Sequence, residues 1–236
     1  MKRMNKDKRK IVISVGGSIL VRDLSSQNIK RYADVIYEIS KDNKVFVVVG
    51  GGYIARDYIK VAKELGLNDS AADYIGIDIT RINAKLLIAA LPEENVYGDV
   101  ALNFKDAKNF SNFKDIVVMG GTEPGHTTDA VGAILAEYVS ANMFINATSV
   151  DGVYDKDPNK FTDAKKIGLL TTSGLMKIVG EARMDAGLNM ILDILAIKVI
   201  ERSGIETYII DGKDPLNILK AVNKEEIGTR INKGQK

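Results

Sequence analysis

Cysteine and tryptophan are absent from this 236-residue chain, and histidine occurs once, as His126. The absence of cysteine excludes disulfides and thiolate metal sites. A single histidine excludes a histidine-rich metal centre, so a bound metal ion must be held by oxygen atoms, including those of a bound phosphate. No apolar run approaches the ~20 residues that a membrane-spanning helix needs. We therefore expect a cytoplasmic protein without membrane contacts.

Basic residues are concentrated at the N-terminus. The whole chain carries a formal charge of +2, but residues 1–10 alone carry +5, which leaves −3 on the remainder. A body of that sign is a poor match for nucleic acid. Residues 1–10 are predicted to form a solvated tail, and residues 11–236 are predicted to form a single domain.

Short β-branched runs alternate with longer helical patterns. The runs are apolar on both faces, as buried strands of a parallel sheet are. The predicted strands are Ile11–Val15, Val45–Val49, Ile116–Met119, Met143–Ala147 and Thr207–Ile210. The predicted helices are Gln27–Lys41, Ile54–Leu65, Ile79–Ala90, Ala130–Ser140, Met190–Arg202 and Pro215–Asn223. This alternation predicts an α/β fold, with a mainly parallel sheet and helices on both faces.

Two connecting segments are long enough to hold hairpins or lids, namely Pro92–Asp115 and Asp155–Lys166. A new unit of strand, glycine turn and helix begins directly after the first of them. The first segment therefore marks a predicted boundary between two lobes, about 11–115 and about 116–236.

Three strand ends share one local design. Gly16-Gly17-Ser18, Gly50-Gly51-Gly52 and Gly120-Gly121-Thr122 each follow a predicted strand and lead toward a helix. Glycine lets a ligand approach the backbone, and the first turn of a helix offers unpaired N–H groups to an anion. One such turn often does no more than reverse the chain. Three of them at the carboxyl ends of parallel strands predict several phosphate contacts in one crevice, as a donor triphosphate facing an acceptor requires.

Two common nucleotide-binding motifs do not account for these turns. The dinucleotide fingerprint G-x-G-x-x-G is absent after every predicted strand, which disfavours a nicotinamide enzyme. Residues 120–127 nearly match a P-loop, but His126 stands where the phosphate-binding lysine should be, and Pro124 stiffens the loop. We interpret this loop as an anion site of another kind.

Polar side chains surround the third turn. Thr122, Thr127 and Thr128 offer hydroxyl groups, and Asp129 lies at the start of the following helix. Either Thr127 or Thr128 is expected to cap that helix. Asp129 is predicted to orient groups around a transferred phosphoryl group or to hold Mg2+ through water.

Two further side chains have open alternatives. Arg56, near the start of the helix after the glycine triplet, suits phosphate oxygens, but it equally suits a surface ion pair with Asp57 or Glu64. Asp73 lies in an apolar stretch, where it would cap the next helix or accept hydrogen bonds from the two hydroxyls of a sugar.

Several motifs together resemble the amino-acid kinase superfamily and, within it, the uridylate kinases of the archaeal type. The resemblance runs from Ile11 to about Ile231. The motifs that carry it are GGS at 16–18, GGGYIAR at 50–56, DYIGIDITRINA at 73–84, GGTEPGHTTDA at 120–130 and TSVDGVYDKDP at 148–158.

The resemblance implies a three-layer α/β/α sandwich, an acceptor-binding N-terminal part and an ATP-binding C-terminal part. It also implies a homohexamer that uses Mg-ATP to convert UMP to UDP, with Mg2+ held mainly by phosphates. The implied UMP contacts are Gly51, Asp73 on the ribose, Thr122, Glu123, Pro124, Gly125, His126, Thr127 and Thr128. The implied ATP contacts are Gly17, Ser18, Gly52, Arg56, Thr148, Ser149, Tyr154 and Asp157. Asp129, Asp193 and Arg56 are the implied catalytic residues, and no protein metal ligand is implied.

One position departs from the family pattern. Many relatives have a lysine two residues before the first glycine pair, and this chain has Ser14 there. The missing charge would come from Mg2+, Arg56, Lys198 or another lysine. Two alternative functions stay open. One is a related kinase that acts on carbamate, an acylamino acid or isopentenyl phosphate. The other is a non-catalytic protein that binds a nucleotide or an oxyanion.

Overall fold

The computed structural model describes residues 8–156, 158, 160–184 and 192–232. Among these residues, seven strands form a central sheet, and β5 and β6 form a separate pair. In chain order the strands are β1 (Arg9–Val15), β2 (Asn43–Val49), β3 (Ile116–Met119), β4 (Met143–Thr148), β5 (Val153–Tyr154), β6 (Lys166–Ile167), β7 (Leu169–Thr171), β8 (Glu206–Asp211) and β9 (Thr229–Asn232).

Helices connect these strands. They are α1 (Gly17–Leu20), α2 (Ser26–Ser40), α3 (Gly52–Glu64), α4 (Asp69–Ala90), α5 (Phe104–Phe110), α6 (Thr128–Tyr138), α7 (Thr172–Met184), α8 (Ile194–Ser203) and α9 (Leu216–Val222). In the part of the chain that the structure describes, none of them has the length and apolar character needed to cross a bilayer.

The central sheet has the strand order β3-β2-β1-β4-β8-β9-β7. All neighbouring strands are parallel except β8 and β9, so the predicted mainly parallel sheet is confirmed. Helices α2, α4 and α9 pack on one face of the sheet, and α5, α6 and α8 pack on the other. These are the three layers that the resemblance implied.

Strand β1 shows why this sheet is buried on both sides. Ile11, Ile13 and Val15 pack into the core beneath α2 and α4, while Val12 packs into the core beneath α6 and α8. Ser14 is as completely buried as these apolar residues. A strand that buries both faces reads as a continuous apolar run, which is how the sequence revealed it.

Neighbouring strands β1 and β4 continue on opposite faces of the sheet. Strand β1 leads through α1 to α2 on one face, and β4 leads through the β5–β6 pair to α7 and α8 on the other. Connections that diverge in this way leave a crevice at the carboxyl ends of the two strands. That crevice begins at Gly16, whose N–H donates to the Ala147 carbonyl oxygen at 3.2 Å.

All five predicted strands are present, but some element bounds were wrong. Strand β1 begins two residues early, at Arg9, and α4 begins at Asp69 instead of Ile79. The predicted helix Met190–Arg202 corresponds to α8, which begins at Ile194, and residues 190 and 191 lie outside the described ranges. The first long connection contains α5, and the second joins the antiparallel strands β5 and β6.

Lysines line the amino-terminal edge of the sheet, opposite the crevice. Lys8 Nζ donates to the Ser40 carbonyl oxygen at 3.0 Å, at the end of α2. Lys10 Nζ donates to the Val139 carbonyl oxygen at 2.9 Å, just after α6. Such contacts satisfy unpaired carbonyls and complement the negative end of a helix dipole. Part of the predicted N-terminal tail therefore holds helix ends in place.

Candidate functional site

The first two glycine turns are packed against each other, backbone to backbone. A methyl group on Gly17 would lie 2.3 Å from both the Gly50 carbonyl oxygen and the Gly52 nitrogen. Gly52 has a φ of +69°, and a methyl group there would lie 2.7 Å from the Gly17 carbonyl carbon. Only glycine fits such a close approach in this conformation. The ends of β1 and β2 therefore form one continuous backbone surface.

The third turn reaches the same surface. The Thr128 hydroxyl oxygen lies 3.0 Å from the position that a methyl group on Gly50 would occupy. On its other side, the Gly121 N–H donates to Thr80 Oγ1 at 2.7 Å. The first two turns therefore touch directly, and the third turn is joined to them through Thr80 of α4 and through Thr128 of its own loop.

Helix α4 holds the acceptor-side loops through three polar side chains. Thr80 Oγ1 accepts a hydrogen bond from the Gly121 N–H, and Asp73 Oδ2 accepts one from the Gly125 N–H at 2.8 Å. Asn83 Nδ2 donates to the Gly50 carbonyl oxygen at 2.9 Å. Each of these bonds satisfies a loop backbone group, and together they fix the second and third turns to one rigid helix.

The structure corrects one prediction for Asp73. This residue lies within the first turns of α4 and does not cap a helix that begins near Ile79. The cap is Asn68, whose side chain accepts the N–H of Ala71 at 2.9 Å. The carboxylate of Asp73 is half-buried and faces the loop that the resemblance assigns to UMP.

Sequence reasoning missed Thr80 and Asn83. Both are buried although they are polar. A signal was present, because Asp73, Gly76, Thr80 and Asn83 recur at helical spacing and so share one face of α4. A polar and small-residue stripe of that kind, inside an otherwise apolar helix, marks a face that contacts backbone.

The loop of residues 122–128 turns sharply. Gly125 has a φ of +77°, and the His126 N–H donates to the Glu123 carbonyl oxygen at 3.3 Å. Pro124 is half-buried inside this turn, whereas His126 is exposed. The loop therefore curls on itself instead of forming a P-loop, as its sequence indicated.

The amino-terminal ends of α6 and α8 are joined. Thr127 caps α6, since its Oγ1 accepts the Ala130 N–H at 3.1 Å. The same hydroxyl donates to Asp193 Oδ2 at 2.9 Å, and Asp193 caps α8 by accepting the Leu195 N–H at 2.7 Å. Of the two threonines considered, Thr127 is the cap, and Thr128 is the one that meets the glycine turns. Two positive helix ends thus face one region.

Asp129, in the first turn of α6, is half-buried. Burial raises its pKa to about 6, and the nearby Asp193 carboxylate adds to the rise. Asn146 and Ser14 lower the pKa in part, but the Ser14 hydroxyl is 3.5 Å from Asp129 Oδ1, a long hydrogen bond. The hydrogen bonds to this carboxylate do not offset the cost of burying its charge. The carboxylate is therefore expected to bind a proton or to lie near a positive charge.

Two buried polar atoms close to the turns have no hydrogen-bond partner among the described residues. They are Thr122 Oγ1 and Asn146 Nδ2, in side chains that are 8% and 1% exposed. Asn146 lies near enough to Asp129 to affect its pKa, yet its amide makes no bond of normal geometry. Unsatisfied buried atoms are uncommon in folded proteins and often mark groups that meet a ligand or water.

Two of the cations considered from the sequence form no ion pair with the described residues. Arg56 on α3 and Lys198 on α8 are exposed, and neither makes a hydrogen bond or ion pair with the residues that the structure describes. The surface pairing of Arg56 with Glu64 is not formed, since Glu64 Oε1 lies 3.9 Å from Lys60 Nζ. Both cations are thus free to meet an anion.

The loop after β4 contains the residues that the resemblance assigns to adenosine. Thr148 is half-buried and accepts the Gly212 N–H on its carbonyl oxygen at 2.7 Å, whereas Ser149 and Ser18 are exposed. The half-buried Tyr154 donates its hydroxyl proton to Asp151 Oδ1 at 3.0 Å, which holds the ring at the loop. Asp157 lies outside the described residues.

Two carboxylates of the cleft, those of Asp129 and Asp193, could contact a metal ion. The described residues contain no cluster of three or more potential His, Cys, Asp or Glu ligands. Asp129 and Asp193 are close enough for their charges to interact, and the backbone turns beside them suit phosphate. These groups fit an oxygen-bound Mg2+ that receives most of its ligands from nucleotide phosphates, as Mg2+ often does.

Comparison with known proteins agrees with this geometry. Residues 9–211 match the model of the Amino acid kinase family. The chain is 47% identical over 222 residues to a uridylate kinase of Methanobrevibacter smithii, covering 94% of this chain and 98% of the relative. It is 52% identical over 214 residues to one of Methanoculleus marisnigri, covering 91% of each.

A crystal structure of the uridylate kinase from Archaeoglobus fulgidus superposes with a TM-score of 0.86. The two chains are 49% identical, and the match covers 94% of this chain and 99% of the other. The family match over residues 9–211 includes all three glycine turns and both helix ends at the cleft. The chain belongs to the amino acid kinase family and, within it, to the uridylate kinases of the archaeal type.

Proposed function

We propose that this chain transfers the γ-phosphoryl group of ATP directly to UMP, giving UDP and ADP. One observation carries the chemistry: the first two glycine turns pack backbone to backbone, and Thr80 and Thr128 join the third turn and its loop to them. Such a surface offers N–H groups to several phosphates at once, which a donor and a phosphorylated acceptor both require. The uridylate kinases among its relatives supply the identity of the acceptor.

The acceptor is proposed to bind between α4 and the third turn. Thr122 offers an unpartnered buried hydroxyl there, and Asp73 already organises the loop at Gly125. We assign the UMP ribose to Asp73. The other proposed UMP contacts are Gly51, Thr122, Glu123, Pro124, Gly125, His126, Thr127 and Thr128.

ATP is proposed to bind across the ends of β1 and β4. Gly17, Ser18 and Gly52 would contact its phosphates, Arg56 would bridge the two nucleotides, and Tyr154 would cover the adenine. Thr148 and Ser149 complete the proposed adenosine contacts. Asp157 remains a proposed contact outside the described residues.

Positioning and charge stabilisation account for the proposed catalysis. The acceptor is already a phosphate, so no strong general base is needed. Holding the two phosphates in line supplies most of the proposed rate enhancement. The amino-terminal ends of α6 and α8 stabilise negative charge that moves between them. Asp129 and Asp193 orient this region, and Mg2+, when bound, neutralises charge on the donor phosphates.

Many relatives have a lysine at the position of Ser14, and we assign the role of that lysine to exposed cations. Ser14 is fully buried and uncharged, so it supplies no compensating charge. Arg56 and Lys198 are exposed and lack partners among the described residues, and both belong to helices whose amino-terminal ends lie at the cleft. We propose that they share this role.

Assembly and location complete the proposal. We propose a cytoplasmic homohexamer serving pyrimidine nucleotide synthesis. Exposed apolar side chains on α3 support self-association, because Tyr58, Val61 and Leu65 follow one helical face and are 56%, 53% and 78% exposed. An apolar stripe of that kind is typical of a surface that another protein covers.

A coupled assay of ADP release tests the function. Purified enzyme is supplied with Mg-ATP and, separately, UMP, CMP, dUMP, carbamate, an acylamino acid or isopentenyl phosphate. We expect UMP to give turnover in the range of about 1–100 per second typical of kinases. Turnover with one of the last three acceptors alone would assign the chain to a related kinase. Tight binding of UMP without turnover would assign it to the non-catalytic binders.

A further inference from the structure

Asn146 is a buried amide in an unusual position. It lies in β4, in register with Ser14 of β1 on one side and Ile209 of β8 on the other. It is only 1% exposed, and its Nδ2 has no hydrogen-bond partner among the described residues. A buried donor without a partner destabilises a fold, so a purely structural role would be better filled by an apolar side chain of the same size.

Helix α6 packs closely on the strands beside this amide. Gly132 lies over Phe144 and Ser14, since a methyl group at that position would be 2.7 Å from the Phe144 ring and 3.2 Å from Ser14 Cβ. One turn earlier on the same helix is Asp129, whose Oδ1 is 3.5 Å from the Ser14 hydroxyl. Asn146, Ser14 and Asp129 therefore form a small polar cluster between the sheet and the first turn of α6.

The cluster is incomplete on both sides. Asn146 Nδ2 makes no hydrogen bond of normal geometry with the described residues, and the bond from Ser14 to Asp129 is long, at 3.5 Å. A weak hydrogen-bonding interaction with Asn146 nevertheless lowers the pKa of Asp129, so the two groups already lie close together. A small movement of the first turn of α6 toward the sheet would give the amide its acceptor and the carboxylate a second donor.

We propose that Asn146 is a positioning residue for phosphoryl transfer, donating its Nδ2 proton to the Asp129 carboxylate when nucleotides fill the cleft. The bond would fix the direction of that carboxylate beside the transferring group without touching the substrate. This inference rests on the proposed function, since it assigns Asn146 a task in that reaction. It also explains why the fold keeps a buried amide donor that lowers its stability.

The test replaces Asn146 with leucine, which has nearly the same shape and no donor. We expect Asn146→Leu to lower kcat by about 10-fold to 100-fold, as loss of a positioned group does. KM for UMP and for ATP should stay within about threefold, since neither contact is removed. The thermal midpoint should be equal or higher, because an unpaired buried amide has been removed. Asn146→Thr, which keeps a donor, should recover most of kcat.

A matched control separates positioning from general packing. Asn43 is another buried asparagine, but it lies at the opposite end of the sheet, and its Nδ2 donates to the Ile39 carbonyl oxygen at 2.8 Å. Asn43→Leu should lower the thermal midpoint and leave kcat unchanged. The two leucine variants are thus expected to move stability and turnover in opposite ways.

A double-mutant cycle with Asp129→Asn completes the design. If Asn146 acts through Asp129, the leucine substitution should cause no further loss of kcat in the Asp129→Asn background. Three results would each overturn the proposal. One is that the losses of kcat from the two substitutions multiply in the double variant. The others are that Asn146→Leu alone keeps kcat within about twofold of wild type, or lowers the thermal midpoint as Asn43→Leu does. Absence of UMP turnover in the wild-type enzyme would instead overturn the proposed function.

Discussion

Asp129, the proposed catalytic aspartate, lowers the stability of the fold at neutral pH. Burial and the Asp193 carboxylate raise its pKa to about 6, while an aspartate in water has a pKa near 4. Well below pH 4, this side chain is protonated in both the folded and unfolded states. Between about pH 4 and pH 6 the unfolded chain loses the proton first, so the folded state loses stability as the pH rises.

We predict that Asp129→Asn stabilises the fold above pH 6 while lowering activity. The variant has no carboxylate to ionise, so at pH 7.5 it should be more stable than wild type by up to about 3 kcal/mol. The difference should fall to about 0.5 kcal/mol at pH 4. Urea denaturation from pH 4 to pH 8 measures it, and a difference independent of pH would contradict the assigned cause.

Arg56 gives a second prediction for a single residue. It has no described partner, so Arg56→Lys should leave the free energy of unfolding unchanged while lowering kcat/KM by about 10-fold to 100-fold through loss of the bidentate phosphate contact. Arg202→Lys is the matched control, because Arg202 pairs with Glu137 away from the cleft. Equal activities of the two variants would remove Arg56 from the site.

At the scale of single elements, the glycine turns are the feature that sequence predicted best. The repeated pattern identified all three turns, because a run of glycines directly after an apolar strand is rare except where the backbone turns tightly against a ligand or another strand. The pattern did not identify Thr80 and Asn83, which hold those turns from α4. Their importance depends on a helix from another part of the chain, and local sequence carries no direct record of that packing.

Two adjacent glycines provide a test of the first turn. A methyl group on Gly17 would overlap the backbone of Gly50 and Gly52 at 2.3 Å, whereas one on Gly16 would meet nothing closer than 3.8 Å. Gly17→Ala should therefore cost about 3 kcal/mol or more, or abolish activity by displacing the second turn. Gly16→Ala should fall within about 1 kcal/mol of wild type. Urea denaturation and the UMP assay together distinguish these outcomes, and similar effects at both positions would contradict the close packing.

At the scale of the whole molecule, the layers and the parallel sheet were predictable because they follow from periodicity. Strands β7 and β9 were missed, since each is short and half-exposed in places and so lacks a strong apolar run. The bonds from Lys8 and Lys10 to helix ends were missed for a different reason. A cluster of lysines reads as a solvated tail until the fold shows which carbonyls lie nearby.

Self-association is the prediction that belongs to this scale. Six copies of the 25.8 kDa chain would have a mass of about 155 kDa, which sedimentation can measure. Replacing Val61 and Leu65 together by aspartate should shift the mass to a smaller species, because the exposed apolar stripe of α3 would carry charge. The paired control is Leu24→Asp on the α1–α2 connection, where Leu24 is also exposed. An unchanged mass in the double variant would place the interface elsewhere.

The locked glycine turns restrict how this architecture can acquire new chemistry. Since the ends of β1 and β2 touch through bare backbone, neither can be reshaped without displacing the other. Any drift toward a different acceptor must therefore arise on α4 and in residues 122–128, where side chains are present to be exchanged. A mutant library aimed at altered substrate preference should concentrate its diversity there and leave the glycines of the three turns untouched.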